Sequence, residues 1–133
     1  MSRSAIASYS RIPIFGRLRA SVGILRKGPL VLVIDRSDGR GLSFPGGLAM
    51  PWEAAEQAVK REFTEETGLQ IQRCAPLFAY RSSAEVPVEL SVYVVEAAGE
   101  LKDSWEGSPR WLPLADIRAA LLPSQKEIVD RLL

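Results

Sequence analysis

Three glutamates crowd one short stretch of this chain. They are Glu62, Glu65 and Glu66, in the segment Arg61-Glu62-Phe63-Thr64-Glu65-Glu66-Thr67-Gly68-Leu69. A fourth, Glu53, follows the glycine turn Gly46-Gly47, with seven residues between it and Arg61. Like charges spaced this closely repel. A fold retains them where something positive binds. Hard cations such as Mg²⁺ take oxygen ligands and use few carboxylates beside substrate phosphates. The first expectation is a metal site that handles a phosphorylated substrate.

These residues need a helix to position them. The pattern predicts one that begins near Glu53 to Ala55 and ends at Thr67, with Gly68 in the left-handed position that often follows a helix. At about 100° per residue, Glu65 lies about −60° and Glu66 about +40° from Glu62. Ala55, Ala58 and Val59 fall on the same side, while Gln57, Lys60 and Thr64 occupy the other. An amphipathic helix buries its apolar stripe. The carboxylates thus point toward the protein or a cleft, where desolvation penalises bare charge. The plainer reading is a solvated acidic helix end. That would place the glutamates on the outer face, and acids near a helix C-terminus also oppose its dipole.

The rest of the chain supplies a framework. Ala20 to Arg26 and Leu30 to Arg36 are apolar runs around Lys27-Gly28-Pro29, a hairpin signal. Ser37 to Gly41 reads as loop. Phe44-Pro45-Gly46-Gly47 is a short extended piece ending in a turn whose two glycines let a ligand approach the backbone. Leu77 to Arg81, Val86 to Ala97 and Arg110 to Leu112 read as strands. Leu114 to Leu121 reads as a helix, and a second starts at Ser124, where Ser124 and Glu127 have capping-box spacing. This order implies an α/β (α+β) fold with a mixed, partly antiparallel sheet and helices on its faces. Residues 1–133 fit a single domain, with residues 1–18 as a peripheral N-terminal arm.

Composition narrows the function. Formal net charge is +1, so no broad basic field invites a nucleic-acid backbone. Arg3, Arg11, Arg17 and Arg19 make a local excess that reads as a solvated arm. The chain has no histidine, which removes Ser-His-Asp and Cys-His catalysis and imidazole ligands. Cys74 is the only cysteine; it excludes an internal disulfide and reads as a small core residue. No apolar run approaches a membrane span, and the N-terminus lacks the apolar stretch of a secretion signal. A soluble cytoplasmic protein is the default expectation.

The pattern from Gly47 through Glu53 to Arg61, Glu62, Glu65, Glu66 and Gly68 resembles the signature of the Nudix hydrolases, of the MutT pyrophosphohydrolase type. It fills every fixed position over 23 residues, Gly47 to Leu69. Phe44-Pro45-Gly46 and Trp111-Leu112-Pro113-Leu114 are similar to the family too. Phe63 stands where an aliphatic residue is usual, and Trp52 where glycine is frequent. The resemblance implies an α/β/α sandwich and metal-dependent hydrolysis, with Mg²⁺ or Mn²⁺, of a diphosphate linkage in a nucleoside diphosphate derivative. By position it makes Glu62 and Glu66 the principal metal ligands and Glu65 a further ligand or the base. The Gly47 carbonyl would complete the coordination, and Arg61 would steady Glu65. Glu53 is left between touching the metal through water and anchoring the loop by an ion pair. The family's general base is not fixed in position. Glu106 resembles the loop glutamate of MutT-type members, against a plain reading as a solvated loop acid; Glu85, Glu89 and Glu100 are weaker candidates.

Substrate contacts are read more loosely. Trp52 is a candidate to stack on a base, and Arg26, Arg36 and Arg81 to meet phosphates, each weighed against surface or packing roles. Tyr80 reads as core. The expected partner is a small nucleotide, with neither membrane nor nucleic acid, in a monomer or a homodimer. The competing class is a non-catalytic Nudix-type nucleotide-binding module. Such modules usually lose signature glutamates, and this chain keeps all of them.

Overall fold

The computed structural model describes residues 18–133; the N-terminal arm expected up to residue 18 lies almost wholly outside them. The strands are β1 (Leu18–Ile24), β2 (Arg26–Lys27), β3 (Leu30–Arg36), β4 (Leu42–Ser43), β5 (Gly46–Leu48), β6 (Gln70–Ser82), β7 (Val88–Ala98) and β8 (Gly107–Pro113). The helices are α1 (Ala55–Thr67) and α2 (Lys126–Leu132). One sheet has the order β5-β1-β7-β6. Its β1 and β7 run parallel, while β1–β5 and β6–β7 are antiparallel. In the second sheet β3 pairs antiparallel with β2, β4 and β8. The fold is a mixed α+β sandwich.

The sheets are covered on both sides, which explains the unbroken apolar run of β3. Val31 and Val33 join Val22, Leu90, Val92 and Ile128 in one core. Leu32, between them, faces the other way and joins Val59, Phe63, Tyr93 and Val95. The period of two along β3 and β7 thus feeds two cores. Phe63 is fully buried, and burial of so large a side chain stabilises by about 1.5–3 kcal/mol. Cys74 packs at the edge of this second core.

The α1 helix fills its predicted span. The Gln57 side chain accepts from the Ala54 N–H at 2.8 Å at its start. Gly68 ends it at φ 81°, and its N–H donates to the Thr64 carbonyl at 2.9 Å. Ala58 and Val59 are buried, while Lys60 pairs with Glu56 at 3.0 Å on the outer face.

Three local expectations are corrected. The helix expected over Leu114 to Leu121 is two short 3₁₀ turns, Leu114–Asp116 and Arg118–Ala120. Leu114, Ile117 and Leu121 still bury at helical spacing. Leu121, however, bridges to Leu42, and the Leu122 N–H donates to the Leu42 carbonyl at 2.9 Å. Sheet pairing therefore draws the chain out of the helix. No capping box forms at Ser124: its N–H donates to Glu85, and Glu127 pairs with Arg131 at 2.6 Å. β6 is longer than expected, running from Gln70 to Ser82, because irregular register between Pro76 and Phe78 accommodates the proline.

Candidate active site

The site forms where α1 passes under the β4–β5 turn and the loop before β8. Glu62 and Glu66 are one turn apart on α1, and Glu106 descends from the loop to meet them. Carboxylate oxygens of all three lie within 4.8 Å of one another. Glu66 is only 6% exposed. Its Oε1 accepts from the Gly46 N–H at 2.9 Å. Gly46 has φ 151°, and a Cβ there would sit 2.0 Å from the Ser21 carbonyl. Only glycine lets the turn come close enough to place that N–H.

Burial is the largest cause pushing the Glu66 carboxyl up, to about 9; the hydrogen bond with Glu106 and the charges of Glu106 and Glu62 add to it, against the Gly46 N–H. Burial also raises Glu62, partly offset by Arg61. Three carboxylates this close together are a receptive site for a hard cation, since every donor atom is oxygen. The donor set fits a divalent metal held by Glu62, Glu66 and Glu106.

Arg61 organises the approach. Its Nε donates to Glu53 Oε2 at 2.8 Å and its Nη2 to Glu53 Oε1 at 2.7 Å, a two-pronged pair. Its Nη1 donates to Glu62 Oε1 at 2.6 Å, and Nη2 to the Leu48 carbonyl at 3.3 Å. The grip expected on Glu65 is the weakest of these, at 3.6 Å. Glu53 takes the loop-anchoring part of its two readings. It accepts from the Met50 N–H at 2.9 Å, and Arg61 followed by that N–H hold its carboxyl at about 2. Charge-assisted, bidentate geometry of this kind is strong and directional.

Other candidates separate clearly. The Glu65 side chain is 58% exposed and stands outside the trio, in which Glu106 is the third acid. The reason is rotational: Glu65 sits on the solvent side of the stripe, beyond Arg61. Gly47 lies against Glu62, where a Cβ would stand 2.7 Å from Oε2. Arg36 reaches the site; it pairs with Asp38 at 2.6 Å and borders both cavities that flank Glu66. Trp52 is 80% exposed and lines neither of those cavities. Arg26 is exposed on β2 in a separate hollow with Leu69 and Trp111. Arg81 is on β6, 3.7 Å from Glu89. Glu85 caps the end of a cavity by pairing with Arg40 and the Ser124 N–H.

Two cavities adjoin across Gly46, Gly47, Leu48, Arg36 and Glu66. One, of about 490 Å³, is mostly apolar and runs over Ala20, Val22, Phe44 and Leu90 toward Gln125. The other, of about 420 Å³, contains Glu62, Glu106, Ser37 and Trp105. An apolar chamber joined to an acidic one can hold a heterocycle at one end and a polyphosphate at the other.

Sequence reasoning missed several supporting residues. Arg19, counted with a solvated arm, donates Nη2 to the carbonyls of Met50 and Glu53 at 2.9 Å each. Ser37 pins the Glu106 loop: its N–H donates to the Glu106 carbonyl at 3.0 Å and its Oγ to the Trp105 carbonyl at 2.7 Å. Alternation within β1 offered a signal for Arg19. No local pattern marks Ser37 or Gln125.

This sandwich carries an acidic helix beneath a glycine turn. Residues 17–132 match the NUDIX domain family, and the chain belongs to the Nudix family of hydrolases. Its fold is similar to that of the MutT Nudix hydrolase from Burkholderia pseudomallei, with a TM-score of 0.77 and 20% identity over 88% of this chain and 98% of that one. It is also similar to the E. coli ORF135 protein, with a TM-score of 0.73 and 21% identity over 86% of each. At such identities the likeness is one of fold. Over 58 residues the sequence is 41% identical to YtkD of Bacillus subtilis (strain 168), to which an 8-oxo-dGTP diphosphatase activity is ascribed. That match spans 44% of this chain and 36% of YtkD. Among the described residues no helix is long and apolar enough to cross a membrane.

One consequence of the Gly47 packing is testable. Gly47→Ala should push the Glu62 carboxylate aside and weaken Mn²⁺ binding by roughly tenfold to a hundredfold, as loss of ligand support does elsewhere. The clash meets a side chain and no backbone, so the melting temperature should stay near that of the unaltered protein. Manganese titration and a thermal melt check the pair of outcomes.

Proposed function

We propose that this protein hydrolyses a phosphoanhydride bond of a nucleoside diphosphate derivative, with nucleoside triphosphates the foremost class, and that it requires Mg²⁺ or Mn²⁺. The carrying observation is the convergence of Glu62, Glu66 and Glu106 within 4.8 Å at the junction of the two cavities. A bound divalent cation supplies neutralisation of phosphate charge and orientation of water toward phosphorus. The chain's own residues do the rest. Glu62 and Glu66 present oxygens from a rigid helix, and Arg61 fixes Glu62 against the loop. In this reading Glu106, on a loop that Ser37 tethers, accepts a proton from water, a part that its position in the trio supports. Arg36 offers positive charge at the border of the cavities. Glu65, at the rim, is a further acid for that proton or for a second ion. The YtkD likeness makes 8-oxo-dGTP and dGTP the first compounds to try.

The purified chain, given 8-oxo-dGTP, the common nucleoside triphosphates and nucleotide sugars, should release pyrophosphate, phosphate or a mononucleotide from at least one, only with divalent metal. Tight nucleotide binding without turnover across that panel would favour a sensor; turnover undiminished by a chelator would remove the metal from the reading. Metal uptake itself should release protons. Burial and the neighbouring acids push the Glu66 carboxyl up to about 9, so it should carry a proton near neutral pH and give it up on ligating. Calorimetric Mg²⁺ or Mn²⁺ titrations in two buffers of different ionisation enthalpy should show about one proton released per ion near pH 7. Affinity should rise as pH approaches 9, in line with that shift.

A further inference from the structure

The acidic cavity has an aromatic rim that the hydrolytic residues leave unused. Trp105 lines that cavity beside Glu106 and does not line the apolar one. It is 86% exposed, although tryptophan is highly buried on average. Its indole forms no ring contact, cation–π contact or hydrogen bond with another described residue.

The backbone beneath this ring is fixed. Trp105 and Glu106 are the central residues of a tight turn closed by Ser104 and Gly107. The Ser104 N–H donates to the Gly107 carbonyl at 3.0 Å, and the Gly107 N–H to the Ser104 carbonyl at 3.2 Å. Ser37 holds the turn from the side through the Trp105 and Glu106 carbonyls. Gly107 packs so closely on β3 that a Cβ there would stand 2.4 Å from the Asp35 carbonyl. Turns of two residues favour glycine, asparagine and aspartate; nothing in this one calls for an indole. A fixed, unpartnered aromatic face at a cavity mouth is preorganised for stacking, so a ligand pays little to order it.

The order of groups along the two cavities says what this face meets. Gly46, Gly47 and Glu66 border both, while Glu62, Glu106 and Trp105 belong to the acidic one alone. Phosphates that lead away from a base in the apolar cavity pass the three acids and then reach Trp105. The face of an aromatic ring carries the negative part of its quadrupole. It is a poor neighbour for a bare terminal phosphate and a good one for a planar ring. We infer that Trp105 is a specificity-determining residue that stacks on a planar group carried beyond the phosphates, so that nucleotides whose phosphate chain ends in a ring are preferred. The inference rests on the reading of the acidic cavity as the seat of the phosphates. It concerns binding, and it is tested without turnover.

The probes are two guanosine triphosphate analogues with both bridging oxygens replaced by CH₂, one a phenyl and one a methyl ester of the terminal phosphate. They carry the same charge and differ in the ring. Calorimetry with the full chain and Mg²⁺ should give the phenyl ester about tenfold higher affinity, as one aromatic stack supplies. Trp105→Leu should remove that preference, because apolar area alone does not supply it, and Trp105→Phe should keep most of it. Mn²⁺ alone should bind Trp105→Leu as tightly as the unaltered protein, and their thermal melts should coincide. Weaker Mn²⁺ binding would mean that Trp105 acts through Glu106 and would overturn the inference. So would equal affinities for the two esters in the unaltered protein, no affinity for either, or a preference that survives Trp105→Leu or is lost in Trp105→Phe. A ring preference that depends on Trp105, with no hydrolysis of any nucleotide, would sink the hydrolase reading and leave this one standing. Metal-dependent hydrolysis with equal ester affinities would do the opposite.

Discussion

Glu66→Gln should lower the metal-dependent turnover rate by about 10² or more, the usual scale for removing a positioned acid–base or ligand group. It should also make the metal-free protein more stable at neutral pH. The two effects have one origin. Glu66 is buried, faces two further acids, and receives a single backbone N–H at 2.9 Å. The glutamine keeps an oxygen for that N–H and removes the charge that burial opposes.

The sign follows from linkage. The Glu66 carboxyl rises from 4.5 to about 9 on folding, so the folded state holds the proton more tightly than the unfolded chain. Its contribution is fully present below about 4.5 and is lost progressively as pH rises toward about 9. Metal-free protein should therefore lose stability from this group across neutral pH, and Glu66→Gln should flatten that slope. Thermal melts at pH 5, 7 and 9 with chelator should show the variant melting a few degrees higher at neutral pH, on the order expected for one to two kcal/mol in a domain of this size. Divalent metal should close or invert the gap, because it stabilises only the glutamate form. A variant with full activity, or a metal-free protein insensitive to this substitution, would contradict the site as described.

The second large effect separates two acids that the signature alone does not rank. Glu106→Gln should reduce kcat by about 10–10³, whereas Glu65→Gln should reduce it less than about tenfold. Glu106 belongs to the 4.8 Å trio. The Glu65 side chain is 58% exposed and only 3.6 Å contact distance ties it to Arg61. An exposed ion pair of that kind contributes little. Steady-state kinetics of both variants in saturating Mn²⁺ measure the ranking, and the reverse order would return the water-activating part to Glu65. Manganese affinity should fall with Glu106→Gln and stay nearly unchanged with Glu65→Gln.

Much of the fold was readable because its signals are local. The α1 boundaries follow from apolar spacing and from Gly68, which takes the left-handed turn at φ 81°. The two-sided burial of β3 follows from four successive apolar residues, Val31 to Ile34, all at most 1% exposed. Where local preference met a distant partner, the partner prevailed. Leu114 to Leu121 has helical apolar spacing, yet Leu42 captured its end for a sheet bridge. Ser124 has capping chemistry, yet Glu85 took its N–H.

The candidate site divides along the same line. The amino-acid order by itself determined that Glu62 and Glu66 share an inward helix face, because four residues make about one turn. It also determined that a flexible glycine turn precedes that helix, and that no imidazole of this chain takes part. Only the tertiary structure decided that Glu106 joins them from 40 residues beyond Glu66, that Arg61 spends its guanidinium on Glu53 and Glu62 in preference to Glu65, and that Gln125 reaches the cavity through Phe44. Helical periodicity is a property of neighbouring residues. The choice among distant partners depends on how the sheets and loops close over one another.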